Sequence, residues 1–368
     1  MIPLPLEVFP SFERATLGAP PWDPLPALAP ADLPSECDVV IVGAGITGLS
    51  AAATCARAGR HVVVLERSFG TGATARSGGV VLGDTVEGPD PEFEGCEDVL
   101  RRWIQESAAD CDLRWQGCLE LARDARLATA PIDWHDGGAV RLVTRVPAGV
   151  LDPAKLQMAL LESASAAGAT IVDAATVSEI QQSGSGMTVS TTSGNIGARA
   201  GIMAVDAMCW RRGFDPWWKR VMTVSLQTAP VAAAPLAALG LTADEAFYTV
   251  DTPLLWGRVM PDRSLLVGRE TLPFPERPDP RALSEKLATA AARLASRVRG
   301  LHPAISTIPI QRTWTGPLAR TPAGQPTIAG DPFVPTLLWA GGYGGQGIAQ
   351  GFTLGRRTAD AILKSLDP

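Results

Sequence analysis

Apolar residues fall in unbroken runs near both ends of the chain and in alternating or helical spacing between them. Asp38-Val-Val-Ile-Val42 has no polar break after its first residue and closes on Gly43, so it reads as a buried strand. Ile46–Ala58 is Ala-rich and reads as a helix stopped by Gly59, and His61–Leu65 is a second, β-branched strand. That spacing fits a parallel strand–helix–strand unit. Residues 97–111, carrying Trp103, read as a helix, and 117–122 and 139–144 as strands. Asp152-Pro153 opens a helix to about Ala167, with Asp as N-cap and Pro at the first position, and Gly168 ends it. Strand-like runs follow at 169–172, 176–181 and 187–192, the last two joined by Gly184-Ser-Gly186, and 202–205 is another buried strand. The pattern from 222 to 268 is again strand-like, with Pro261-Asp262 turning between 254–260 and 264–268. An amphipathic helix is predicted over 280–298. Strands return after 305, then Leu337–Ala340, a glycine-rich loop, and a final helix from about Gln346 to Ser365. There is no internal repeat.

Both ends therefore carry nucleotide-fold features, with mixed material between them. The expected fold is α/β of mixed α+β character: a Rossmann-like nucleotide-binding domain with an inserted antiparallel-sheet substrate domain. The expected division assigns 36–90, 148–221 and 306–368 to the nucleotide-binding domain and 91–147 with 222–305 to the insertion. Residues 1–35 contain nine prolines, which excludes a helix and predicts an extended segment. Phe9, Phe12 and Trp22 suggest that it docks on the protein; a disordered tail is the alternative.

Composition narrows the class. A length of 368 residues suits two domains, and 46% apolar with 19% charged residues is a soluble globular profile. A net charge of −6 gives no broad attraction to nucleic acid or anionic membranes. The six cysteines form no C-x-x-C pair and have no histidine at zinc spacing, so no metal site is expected. Met1–Pro10 lacks the pattern of a signal peptide. The most apolar stretch elsewhere, Ala229–Leu241, contains two prolines and is too short to span a bilayer. The expectation is a cytoplasmic protein with reduced cysteines.

The first chemical motif is Gly43-Ala-Gly45-Ile-Thr-Gly48. A strand precedes it, a helix follows, and Glu66 closes the next strand about twenty residues on, as a dinucleotide fingerprint requires. Gly43 permits the tight turn, Gly45 lets a pyrophosphate approach the backbone, and Gly48 lets helix and strand pack closely. The helix N-terminus, through Ile46 and Thr47, offers N–H groups to the phosphates, and Glu66, followed by Arg67, can accept from a ribose diol. The motif alone does not separate FAD from NAD.

The continuation Gly72-Ala-Thr74-Ala75-Arg76-Ser77-Gly78-Gly79 resembles a segment of the D-amino-acid-oxidase-like flavoproteins, a family that includes glycine, sarcosine and gamma-glutamylputrescine oxidases. Gly149-Val-Leu-Asp152-Pro, Gly168-Ala-Thr with Val177, Trp314-Thr-Gly316 and Leu338-Trp-Ala-Gly341-Gly342-Tyr343-Gly344-Gly345-Gln346-Gly347-Ile348 follow in the family's order, so the resemblance covers roughly 22–365. It implies non-covalent FAD: 74–79 would run along the ribityl chain and ring, Val177 would touch the adenine, and 342–348 would meet the flavin's pyrimidine edge. The C-terminal loop also reads this way by itself. Five glycines between a strand and a helix start would point N–H groups at a group that gains negative charge on reduction.

No Ser/His/Asp, zinc or P-loop arrangement is visible. His61 and His302 have structural readings, and His135 lies in a loop where catalysis is a minor alternative. A flavin can take hydride from the carbon beside a neutral amine without a strong protein base. The resemblance thus implies oxidation of an amine or amino acid to an imine, which water hydrolyses, with electrons passing to oxygen or another acceptor. Substrate-pocket candidates are Trp256, Arg258, Arg312 and Tyr343, with Arg258 able to pair bidentately with a carboxylate or to form an ordinary interdomain ion pair. Sarcosine oxidases carry a lysine where this chain has Leu265-Leu266, which leaves a dehydrogenase open. A non-catalytic flavoprotein subunit of a larger complex, docked by the proline-rich arm, is the other alternative. Oligomeric state is not readable.

Overall fold

The computed structural model describes residues 6–8, 18–83, 91–122, 130–134, 140–211, 219–250, 254–273 and 279–367. The fingerprint unit forms as expected: β1 (Glu36–Val42), α1 (Ile46–Arg57) and β2 (Val62–Leu65), with β1 and β2 parallel from Val39↔Val62 to Val42↔Leu65. Ten of the twelve α1 residues are buried, because the helix lies on the sheet and is covered by further helices. A 3₁₀ turn (Thr74–Arg76) follows, then α2 (Cys96–Glu106). The helix expected to reach 111 stops at 106, where Ala108 and Asp112 take positive φ of 51° and 54°. Next come β3 (Cys118–Ala122), β4 (Ala130–Trp134) and β5 (Val140–Val146).

The Asp-Pro start opens α3 (Pro153–Ala166), whose cap Asp152 Oδ1 accepts from Ala154 N and Lys155 N at 2.8 and 3.1 Å. Then come β6 (Thr170–Val172), β7 (Val177–Ser183), β8 (Gly186–Thr191) and β9 (Gly194–Met203). The sequence pattern shows only the apolar end of β9. Its polar half pairs antiparallel with β8, and its apolar half runs parallel to β1. Further along lie, among others, β10 (Lys219–Thr228), β11 (Ala246–Thr249), β12 (Trp256–Val259), β13 (Leu265–Pro273), α4 (Pro280–Gly300), β14 (Ile310–Arg320), β15 (Thr327–Gly330), β16 (Leu337–Gly341) and α5 (Ala349–Leu366).

Two sheets result. The first has the order β7-β8-β9-β1-β2-β6, with β16 parallel to β9 and β15 beside β16. The second is β14-β10-β13-β12-β11-β3-β5-β4. Residues 310–320, grouped with the nucleotide-binding unit by sequence order, hydrogen-bond to β10 and so form the edge of the second sheet. In this sheet Met222, Val224 and Leu226 pack with Leu283, Leu287, Leu294 and Val298 of α4. The alternate residues Thr223, Ser225 and Gln227 face away from that core. None of the described helices is long and apolar enough to cross a membrane, and no described His, Cys, Asp and Glu residues group as metal ligands.

The N-terminal segment docks at two places: Leu6–Val8 pairs antiparallel with Cys209–Arg211, and the chain packs on the protein again from Gly18. Trp22, like Trp256, packs against Met260, Leu266 and Trp314, its Nε1 donates to Ser77 O at 3.0 Å, and Leu25 lies on Gly70. Phe9 and Phe12 lie outside the described residues.

Candidate active site

One cavity of ≈ 320 Å³ runs from the carboxyl ends of β1 and β2 to the exposed face of the second sheet. At the first end the glycines act as the fingerprint requires. Gly43 has φ +103°, and a Cβ on Gly48 would stand 1.9 Å from Gly43 O, so α1 begins in contact with the turn. The N-cap of α1 is Gly45, with no side-chain cap, and Thr74 Oγ1 accepts from Ile46 N at 3.2 Å. Glu66 is held by Ala44 N to its Oε2 (2.7 Å) and Ser68 N to its Oε1 (2.9 Å), which leaves further lone pairs for hydroxyl donors.

The C-terminal loop is tied down at two points. Tyr343 Oη and Thr47 Oγ1 are 2.6 Å apart, which joins the loop to α1, and burial pushes the phenol's pKa up. Asp206 lies just past β9, with φ +45°. Its Oδ1 accepts from Gly342 N (2.9 Å) and its Oδ2 from Ala319 N (3.0 Å), which links the loop to β14. Burial raises the Asp206 pKa, against the lowering effect of these N–H donors. α5 then starts beside the cavity at Ile348, again with no side-chain cap.

Rows of the second sheet form the far wall. In register across the strands stand Trp314, Ser225, Gly268, Trp256, Tyr248, Glu120 and Thr144. Ser225, Trp256 and Tyr248 of that row line the cavity. The indole of Trp256 lies against both Gly78 and Gly268, where a Cβ would approach it to 2.2 and 2.3 Å. A bulge between Thr223 and Ser225 on one side, and Gly268 and Thr271 on the other, shifts the parity of β13. Arg269 and Thr271 both reach the cavity in consequence.

Of the residues expected to hold the cofactor, Gly48, Ala75 and Gly342 do not line the cavity. Gly48 lies under the turn, Ala75 is buried in the 3₁₀ turn, and Gly342 faces Asp206. Arg76 borders it, but its guanidinium turns away to Thr315 O (2.5 Å) and Gly18 O (2.7 Å), and burial pulls its pKa down to about 10. The others all line it: Gly43, Gly45, Ile46, Thr47, Glu66, Arg67, Thr74, Ser77, Gly78, Gly79, Val177 and 343–348.

Two of the four pocket candidates are corrected. Arg258 and Arg312 share the wall's face but stand in the next row, with Gln227 and Leu266 between them. At Arg258 that row is covered by other chain. Arg258 Nη1 donates to Leu151 O (2.8 Å) and Gly79 O (3.4 Å), the guanidinium stacks on Trp22 at 5.6 Å, and burial lowers its pKa to about 10. Arg312 is exposed and reaches Pro20 O at 3.4 Å. His135 lies outside the described residues, and His302 caps a short 3₁₀ turn through Nδ1, which accepts from Ala304 N at 3.1 Å.

Sequence reasoning missed Gln157, Asp206, Tyr248, Arg269 and Arg320, all of which line the cavity. Asp206 had a usable signal, a polar residue directly after a buried parallel strand, where open α/β sheets bind ligands. The others carried none.

The residues fit a flavin dinucleotide. Gln157 is buried and donates to Ala44 O at 2.7 Å, while its Oε1 has no protein partner; Gln346 Oε1 and Arg320 Nε are also without one. Buried polar atoms of this kind need a partner. Here they line a channel with uncapped N-termini of α1 and α5 on its wall, next to glycines that permit close backbone approach.

Comparison with known proteins agrees with this fit. A family model described as FAD dependent oxidoreductase (DAO) matches residues 38–361. Gamma-glutamylputrescine oxidoreductase of Escherichia coli K12 is 26% identical over 383 residues, 91% of this chain and 86% of that protein. L-proline dehydrogenase from P. horikoshii superposes with a TM-score of 0.72 at 18% identity, covering 90% of this chain and 95% of that one. Glycine oxidase from Geobacillus kaustophilus superposes with 0.69 at 20%, with the same coverages.

Proposed function

Because the chain belongs to the DAO family of FAD-dependent oxidoreductases, we propose that it oxidises the C–N bond of an amine or amino acid, giving an imine that water hydrolyses to a carbonyl product. The observation that carries this is the single cavity joining the dinucleotide unit to the polar row Ser225–Trp256–Tyr248. FAD, held non-covalently, supplies the hydride acceptor.

The chain's own residues bind and orient. The N–H groups of α1 would receive the diphosphate, Glu66 would accept from the ribose hydroxyls, and Val177, on the same cavity wall, would border the adenine. Gln346–Ile348 at the start of α5 would stabilise negative charge at the flavin's pyrimidine edge, and Asp206 and Tyr343 keep that loop in place. Trp256, packed between Gly78 and Gly268, would exclude water from the reacting face. Arg269 brings a guanidinium to the cavity and is the group to pair with a substrate carboxylate, the role the sequence suggested for Arg258. None of these groups needs to act as a strong base, since the neutral amine's lone pair drives the transfer.

An acceptor other than oxygen is favoured by one observation: no described cavity residue is a lysine. The test is anaerobic. The FAD-loaded protein is challenged with amines, amino acids and N-methyl amino acids, and bleaching of the yellow absorption is expected for at least one class. Retained FAD that no member of the panel bleaches would overturn the proposal. Comparing oxygen uptake with dye reduction then identifies the acceptor class.

A further inference from the structure

Gln157 of α3 is only 3% exposed, yet it lines the cavity. Its amide has one orientation. Ala44 O, inside the glycine turn, lies 2.7 Å from Nε2 and can only accept, so the nitrogen faces the turn and the carbonyl Oε1 faces away from it. Oε1 is buried too, and it meets no donor among the described residues. A buried acceptor in that state costs free energy until a donor reaches it. Ionised diphosphate oxygens at the start of α1 only accept and cannot serve. The group that fits is a hydroxyl.

A flavin dinucleotide carries hydroxyls in two places, the adenosine ribose and the ribityl chain. Glu66 stands at the ribose end, directly after β2, where it is tied to Ala44 N and Ser68 N. Gln157 arrives from another element. α3 packs on α1 and on the 3₁₀ turn Thr74–Arg76, which opens the stretch leading to Gly78 and the indole of Trp256. The ribityl chain is the part of the cofactor that joins the diphosphate to the ring, and so the part that passes from the start of α1 toward Trp256.

We propose that Gln157 Oε1 accepts from a hydroxyl of the ribityl chain, which makes Gln157 a specificity residue for the flavin half of the cofactor. The glycine turn, the start of α1 and Glu66 serve groups that FAD shares with any ADP-containing ligand. Gln157 serves a hydroxyl that ADP lacks. The inference rests on the FAD fit of the cavity and not on amine oxidation, so it stands or falls on binding whether or not an amine bleaches the flavin.

The experiment titrates full-length apoprotein by calorimetry with FAD, with ADP, and with FAD analogues that each lack one ribityl hydroxyl. In wild type at least one analogue should bind about tenfold or more weakly than FAD, the worth of a hydrogen bond whose loss leaves a buried acceptor unpaired. Gln157→Met should weaken FAD by about tenfold or more and should bind that same analogue within about threefold of FAD. ADP should bind wild type and Gln157→Met within about threefold of each other. A merely structural role would weaken ADP as well and would leave the penalty of the analogue in place.

Wild type that binds every analogue within about threefold of FAD overturns the inference without any variant. So does an analogue penalty that persists undiminished in Gln157→Met. Equal weakening of ADP and FAD by the substitution also overturns it, and assigns Gln157 to the support of the glycine turn or to the adenosine ribose.

Discussion

Asp206→Asn isolates the contact that places the C-terminal loop. The backbone at 206 has φ +45°, a region Asn tolerates at least as well as Asp, so the substitution adds no strain. The side chain keeps its shape but loses one acceptor. Asp206 accepts from Gly342 N on Oδ1 and Ala319 N on Oδ2, at 2.9 and 3.0 Å. Asn can accept only one of these, and its amide turns N–H toward the other. A lost charge-assisted bond with a buried donor left unpaired costs about 1.5–3 kcal/mol, offset in part because the buried carboxylate no longer has to be desolvated. If the loop carries that loss to the cofactor, the FAD dissociation constant rises by about 10- to 150-fold. Titration of apoprotein with FAD, followed by flavin fluorescence, measures it. Asp206→Gly is the partner variant, since it relieves the left-handed backbone but loses both bonds, and it should bind FAD no better than Asp206→Asn. FAD affinity within twofold of wild type in both variants would refute the reasoning.

Four further outcomes follow from the same geometry. Because burial raises the Asp206 pKa, the folded apoprotein holds that proton more tightly than the unfolded chain. Its contribution is therefore full below the ordinary value of 3.8 and is lost as pH rises through the raised value. Denaturant unfolding of apoprotein should show wild type losing stability relative to Asp206→Asn as pH rises from about 4, and an opposite slope would contradict the assignment. Gly48→Ala places a Cβ 1.9 Å from Gly43 O, so the turn must move; a loss of about 1–3 kcal/mol in urea unfolding and weaker FAD binding are expected, and a neutral result would mean that α1 does not rest on the turn. Arg258→Met removes the bonds to Leu151 O and Gly79 O and should lower Tm without altering KM for carboxylate substrates, whereas Arg269→Met should raise that KM; the reverse pattern would restore Arg258 as the substrate residue. Trp22→Phe leaves Ser77 O without its indole donor and should destabilise the protein by about 0.5–1.5 kcal/mol, measured by urea unfolding, unless the N-terminal segment does not hold the 74–79 turn.

Local pattern exposed the glycine-turn end of the cavity because its determinants are contiguous. One strand, one turn and one helix hold the fingerprint, and Glu66 follows at the end of the next strand. The loop at 341–347 was readable for the same reason, as glycines directly before a helix. The far wall was not readable. Arg258 obeys the same alternation as Trp256 and faces the same way, yet it is one row out, and only the docking of Trp22, Gly79 and Leu151 closes that row. Arg269 should by alternation point away from the cavity, and a bulge whose position depends on the partner strand β10 turns it inward.

The sequence by itself determined the βαβ unit, its glycine turn and the acidic residue at the next strand's end, because backbone sterics and helix-end electrostatics act within about thirty residues of chain. Tertiary structure alone decided which side chains meet at the substrate end. Tyr248, Glu120, Trp256, Ser225 and Arg269 come from five strands joined by sheet register, and Asp206 reaches Gly342 only because β9 and β16 lie side by side. Register and the covering of one row by the N-terminal segment depend on contacts between distant parts of the chain, and no local period encodes them.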